Sequence, residues 1–136
     1  YKYNMNDIAG TIGVEQMKHI DESINRRMEI AKFYRDELEM VKGITLMEWK
    51  NDRVSGNWLF PMHVENRIKF CEMMQRNKIA VSIAFKRNDV YTIFGGIRKD
   101  LPNMDRFDQD IICIPIYHGL SNKDLHYIVE AIKRGW

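Results

Sequence analysis

The chain has 136 residues, 45% hydrophobic and 29% charged, with a formal net charge of +2 at pH 7. That is the size and balance of one folded domain with its own core, and its Lys and Arg are spread among acids, which argues against nucleic acid as a partner. No apolar run approaches the ~20 residues needed to span a bilayer, and the first residues show no signal pattern, so no membrane partner is expected and the cytoplasm is the expected compartment.

The opening run Tyr1-Lys2-Tyr3-Asn4-Met5-Asn6-Asp7 lacks an initiator Met, and the chain is expected to be part of something longer. Asn6 or Asp7 can cap a helix start. From there Ile8, Ile12, Ile20, Ile24, Met28, Ala31, Leu38 and Val41 recur mostly at spacings of three or four, which predicts one long N-terminal helix from about Ile8 to Met40. Such a length predicts a kink or a role as a strut between domains. Gly10 and Gly13 each cost about 1 kcal/mol relative to Ala inside a helix, so a close backbone crossing is expected there.

Gly43 ends this helix, and Ile44 to Met47 reads as a short strand leading into a polar loop. A second strand is expected over Trp58–Val64, at an edge or with a bulge because Pro61 lacks an N–H. Trp58 reads as a core anchor. Asn66 to Asn77 is an amphipathic helix with Ile68, Cys71, Met73 and Met74 inward, and Ile79 to Phe85 alternates as a strand. Residues 86–110 form a long irregular stretch with Gly95-Gly96 and Leu101-Pro102-Asn103, and loops of that length are usually functional. Ile111 to Ile116 is a buried strand that stops near Pro115, and the last helix starts at Ser121 and carries Leu125, Ile128, Val129 and Ile132 inward. The fold class is α+β: helices packed on a small, mostly antiparallel sheet.

Candidate chemistry concentrates at two places. Lys2 and Asn4 precede a helix start, where free N–H groups and the helix dipole favour an anion such as phosphate; alternatively Lys2 is solvated and Asn4 assists the cap. Lys86, Arg87, Asn88 and Asp89, with Tyr91, follow the alternating strand, and an Arg fork with Asn and Asp to read sugar hydroxyls suits a polar substrate; alternatively the cluster is a solvated turn with an internal Arg–Asp pair. Cys71 and Cys113 have no CxxC spacing and read as buried thiols. His19, His63, His118 and His126 show no metal-ligand spacing and read as structural or surface groups.

The opening Tyr1–Asp7 run, with Gly13, Gln16-Met17, Ile20, Arg26-Arg27, Ala31 and Tyr34, resembles the start of the C-terminal domain in the DegT/DnrJ/EryC1/StrS sugar aminotransferases. The resemblance continues through Trp58-Leu59-Phe60-Pro61, Asn77-Lys78-Ile79, Ile112-Cys113-Ile114-Pro115-Ile116 and Leu120-Ser121. It implies that residues 1–136 are the small C-terminal domain of a fold-type-I enzyme using pyridoxal 5'-phosphate. Such enzymes are homodimers with sites shared between subunits, and move an amino group from glutamate to a nucleotide-linked 4-keto-6-deoxy sugar. The Schiff-base lysine would lie outside this chain, so no catalytic residue is expected within it. Lys2 and Asn4 are the positions the resemblance implies for cofactor-phosphate contact. At Ala84–Asp89 the chain departs from the common histidine-bearing loop and resembles a subgroup with Arg87-Asn88-Asp89 and Ile93-Phe94-Gly95-Gly96, which leaves Arg87, Asn88 and Tyr91 as substrate candidates. Two alternatives stay open: a sugar 3-dehydratase of the same family, with histidine in place of the lysine, and a non-catalytic regulatory relative.

Overall fold

The computed structural model describes residues 4–136. Helix α1 (Asp7–Met17) and helix α2 (Ile20–Leu38) occupy the span of the expected long helix, with the kink at Lys18-His19. There the Lys18 N–H donates to Glu15 O and the His19 N–H to Gln16 O, the tighter three-residue spacing that ends a helix. Asn6 caps α1 by accepting from the Ala9 N–H at 2.8 Å.

The two helices differ in what covers them. In α2, Ile30, Ala31, Tyr34 and Leu38 are buried, whereas α1 buries no residue and leaves Ile8, Ile12, Val14 and Met17 exposed. The expected apolar stripe is therefore corrected: Ile8, Ile12 and Ile20 line no core among the described residues, and Tyr34 and Ile30 belong to it. Among the described residues the crossing expected at Gly10 and Gly13 is not found: within 4 Å an added Cβ at Gly10 would meet only Met5 Sδ at 3.8 Å, and at Gly13 nothing.

Three strands, β1 (Ile44–Leu46), β2 (Phe60–Val64) and β3 (Ile111–Ile114), form an antiparallel sheet in the order β1-β2-β3. Pro61 thus lies in the central strand, contrary to the edge or bulge expected. The register explains why this is tolerated. β1 ends at Leu46, opposite Met62, so it does not reach Pro61. Pro61 faces Cys113, whose own N–H and C=O are bonded to Ser82 on the far side at 2.8 and 3.1 Å. The missing N–H therefore points past the end of β1, where the next carbonyl, that of Met47, accepts from Arg35 instead.

Phe60, Met62 and Val64 alternate inward and share one core with Ile112 and Ile114, with α2, with helix α3 (Arg67–Arg76) and with helix α5 (Asn122–Lys133). Tyr34, fully buried, donates its hydroxyl to Pro115 O at 2.9 Å. Trp136 packs edge-on against Phe70 at 5.0 Å and donates its indole N–H to Glu65 O at 2.6 Å. In α3 the inward set is Phe70, Met73 and Met74; Ile68 is exposed and Cys71 half-buried, a one-residue rotation from the expected face. Ser121 caps α5 by accepting from the Asp124 N–H at 3.1 Å.

The other sheet face meets part of residues 80–110, with Phe107 and Asp110 against His63. Ile79 to Phe85 forms no regular strand; only Ser82 bridges to Cys113, while Ala80, Ala84 and Phe85 are exposed. The irregular stretch contains a helix that the sequence reading missed, α4 (Pro102–Asp110). His63 pairs through Nδ1 with Asp110 Oδ1 at 2.6 Å and stacks edge-on with Phe107, while Arg67 donates to the Asp108 and Ile111 carbonyls, so α4 is fastened to β2 and α3. Trp58, expected in the core, is 69% exposed, against the Phe85 ring at 6.3 Å.

Candidate functional site

The loop from Arg87 to Asp105 is organised around one side chain. Arg87 Nε and Nη2 donate to the two Asp89 carboxylate oxygens at 2.6 and 2.7 Å, Nη1 donates to Asp105 Oδ1, and Nη2 also reaches Arg98 O at 3.4 Å. Asp89 in turn accepts from the Arg98 N–H at 2.9 Å. Arg87 and Asp89 are 8% and 9% exposed, so this pair sits inside the loop and not on its rim.

The electrostatics follow from these contacts. The Arg87 guanidinium is held charged above its already high range, first by its bond to Asp89 and then by Asp105. Asp89 is held well below the usual carboxylate range, first by Arg87 and then by the Arg98 N–H. A forked guanidinium facing a carboxylate through two parallel bonds is the strong, directional form of ion pair.

Two single turns of 3-10 helix, residues 88–90 and 92–94, carry the chain outward from this pair. Gly95 and Gly96 then turn it back with φ of 90° and 88°, a region where a side chain is strained. The tip is apolar and open: Tyr91, Ile93, Phe94 and Ile97 are 54 to 86% exposed. Neighbouring exposed large apolar groups on one loop mark a surface made to be covered.

Of the residues singled out from sequence, Arg87, Asn88 and Tyr91 share this loop, with the Tyr91 N–H donating to Asn88 O at 3.1 Å. Asn88 and Tyr91 are exposed, whereas Arg87 is enclosed by its two carboxylates. Asn4 is exposed, just ahead of the α1 start; Lys2 lies outside the described residues. Sequence reasoning missed Asp105 and the Arg98 backbone. The available signal was Leu101-Pro102-Asn103, read as a turn, although Pro at the first position of a helix is a start signal that would have placed Asp105 in a first helical turn. Among the described residues no cluster of three His, Cys, Asp or Glu could hold a metal ion, and no helix is long and apolar enough to cross a membrane.

Residues 1–133 match the sequence profile of the DegT/DnrJ/EryC1/StrS aminotransferase family. The UDP-4-amino-4-deoxy-L-arabinose–oxoglutarate aminotransferase of Shewanella sediminis is 31% identical over 97% of this chain and 38% of its own length. The crystal structure of the sugar aminotransferase CalS13 from Micromonospora echinospora superimposes with a TM-score of 0.95 at 33% identity, over all of this chain and 37% of that one. AtS13 from Actinomadura melliaura gives 0.92 at 28% identity, over 99% of this chain and 36% of that one. The chain therefore spans little more than a third of the length of the relatives it matches, and the exposed apolar faces of α1 and of the loop tip lie on that third. With residues 1–133 matched and its fold that of the C-terminal domain of these aminotransferases, the chain belongs to the DegT/DnrJ/EryC1/StrS aminotransferase family.

Proposed function

We propose that residues 1–136 are the C-terminal small domain of a pyridoxal 5'-phosphate-dependent aminotransferase. The whole protein acts in the cytoplasm as a homodimer with shared sites, moving an amino group from glutamate to a nucleotide-linked 4-keto-6-deoxy sugar. The observation that carries the donor and the nucleotide-linked sugar is the match over 97% of this chain to a relative whose name joins a UDP-linked amino sugar to oxoglutarate, the keto acid of glutamate; the 6-deoxy acceptor is supported by a Shigella dysenteriae relative named for a dTDP-linked 4-amino-4,6-dideoxy sugar. The cofactor, when bound, supplies the electron-withdrawing ring that such a transfer needs.

This chain's own residues have limited parts in that chemistry. Asn4 is exposed ahead of α1, whose first-turn N–H groups favour an anion, but Asp7 in the same turn opposes one. The corner therefore offers one edge to a phosphate, to which Asn4 adds a donor, and does not make a complete cradle; Lys2, the other position that the resemblance implies, lies outside the described residues. Asn88 and Tyr91 offer neutral hydrogen-bonding groups to sugar hydroxyls, with Arg87 behind them. The apolar tip at Ile93 and Phe94 excludes water from whatever it covers.

The test is an absorbance titration of the full-length protein with pyridoxal phosphate, then glutamate, then a panel of nucleotide 4-keto-6-deoxy sugars. A cofactor band that glutamate shifts and one keto sugar restores is the expected result. No band in the full-length protein would move the reading to the regulatory relative. The 136-residue chain alone should give no band, because the lysine lies elsewhere.

A further inference from the structure

Arg87 joins three separate points of one loop: Asp89 two residues on, Arg98 O in the middle, and Asp105 at the far end, on the first turn of α4. Its side chain is 7% exposed, that of Asp89 12% and that of Asp105 41%. A cation so far out of water persists only when its donors are met, and here two carboxylates meet them. An incoming phosphate or carboxylate would encounter this pair of negative charges before it reached the guanidinium. Arg87 is thus shielded from the anionic parts of a ligand. Of the groups facing outward between its attachment points, Arg98 and Asp100 pair with each other and Lys99 is exposed, while Asn88 and Tyr91 are neutral hydrogen-bonding groups, which suit a sugar ring better than they suit glutamate with its two carboxylates.

We propose that Arg87, Asp89 and Asp105 form a staple that positions Asn88 and Tyr91 for the sugar ring of the acceptor, an inference that rests on the aminotransferase reading above. The staple residues touch no substrate themselves. They fix the loop on the sheet through α4, which His63 and Arg67 already hold in place. Without the fork, the segment from 88 to 98 keeps single-turn hydrogen bonds, such as Tyr91 N–H to Asn88 O and Phe94 N–H to Tyr91 O, and one longer link from the Arg98 N–H to Asp89, and would sample more conformations before binding.

The transfer runs as two half-reactions, which separates positioning from general damage. In the full-length enzyme, Asp105→Asn should raise KM for the nucleotide keto sugar about tenfold, the scale of one lost charge-assisted hydrogen bond. The glutamate half-reaction should stay at its wild-type rate, with at most a small fall in Tm because Asp89 still meets the guanidinium. Arg87→Lys keeps the charge but not the two-pronged geometry, and should behave like Arg87→Ala in acceptor KM. Limited trypsin digestion adds a readout independent of activity: cleavage after Arg98 and Lys99 should accelerate in the variants. An active wild type whose variants keep the acceptor KM overturns the positioning role alone, as does an equal fall of both half-reactions together with Tm. A wild type that turns over no nucleotide keto sugar overturns the aminotransferase reading and this inference with it.

Discussion

Tyr34 buries its ring completely in the middle of α2, yet its hydroxyl finds one acceptor, the Pro115 carbonyl at 2.9 Å. Tyr34→Phe leaves that carbonyl without its partner and should cost about 1 kcal/mol at neutral pH, measured by urea denaturation. The same residue sets an alkaline limit. Burial first, and the nearby Tyr117 second, push its ionisation above the ordinary value near 10. A group whose folded-state pKa is raised contributes stability that is complete below the unfolded value and is lost as pH rises beyond it. Wild-type stability should therefore decline above about pH 10, and Tyr34→Phe should flatten that decline; an equally steep fall in the variant would place the sensitivity elsewhere. The chemistry at Arg87 was partly legible at this scale. An Arg and an Asp two residues apart announce an internal pair, but Asp105, eighteen residues away, becomes a partner only because α4 carries it back.

Among the elements, those read correctly are those whose residue pattern matches a local cause. The Ser121 cap and the inward run Leu125, Ile128, Val129 and Ile132 define α5 by themselves. Ser121→Ala should lower global stability by about 1 kcal/mol and Ser121→Gly by only a few tenths, a difference that thermal melts of the two variants resolve. The misread elements depend on partners that no local pattern reveals. Ile79 to Phe85 alternates like a strand but has β3 on one side only, and keeps a single bridge at Ser82. Pro61 reads as an edge residue, and is central because β1 happens to stop one residue short of it. Trp58 is apolar and large, which says that it wants cover but not that the cover comes from this stretch of chain.

For the whole molecule, the kink at Lys18-His19 divides a packed helix from a bare one. An isolated helix of eleven residues is marginal in water, and α1 has no buried side chain to support it. In the 136-residue chain alone, amides of α1 should exchange with solvent within seconds, while those of α2 near Tyr34 and of α5 near Val129 should be protected to the limit of global unfolding. Equal protection of α1 and α2 would show that the shorter helix is held by contacts within these 136 residues. The staple at Arg87 has a consequence of another kind. Because its ends are pinned at 87 and 105, the segment between them behaves as a closed ring, and the entropy of closing a ring grows only logarithmically with its size, by about 0.6 kcal/mol for each doubling. Residues can therefore be added to or removed from the tip around Ile93–Gly96 with little effect on the sheet beneath, so that this one stretch of backbone is free to vary in length and shape from relative to relative while the domain that carries it stays the same.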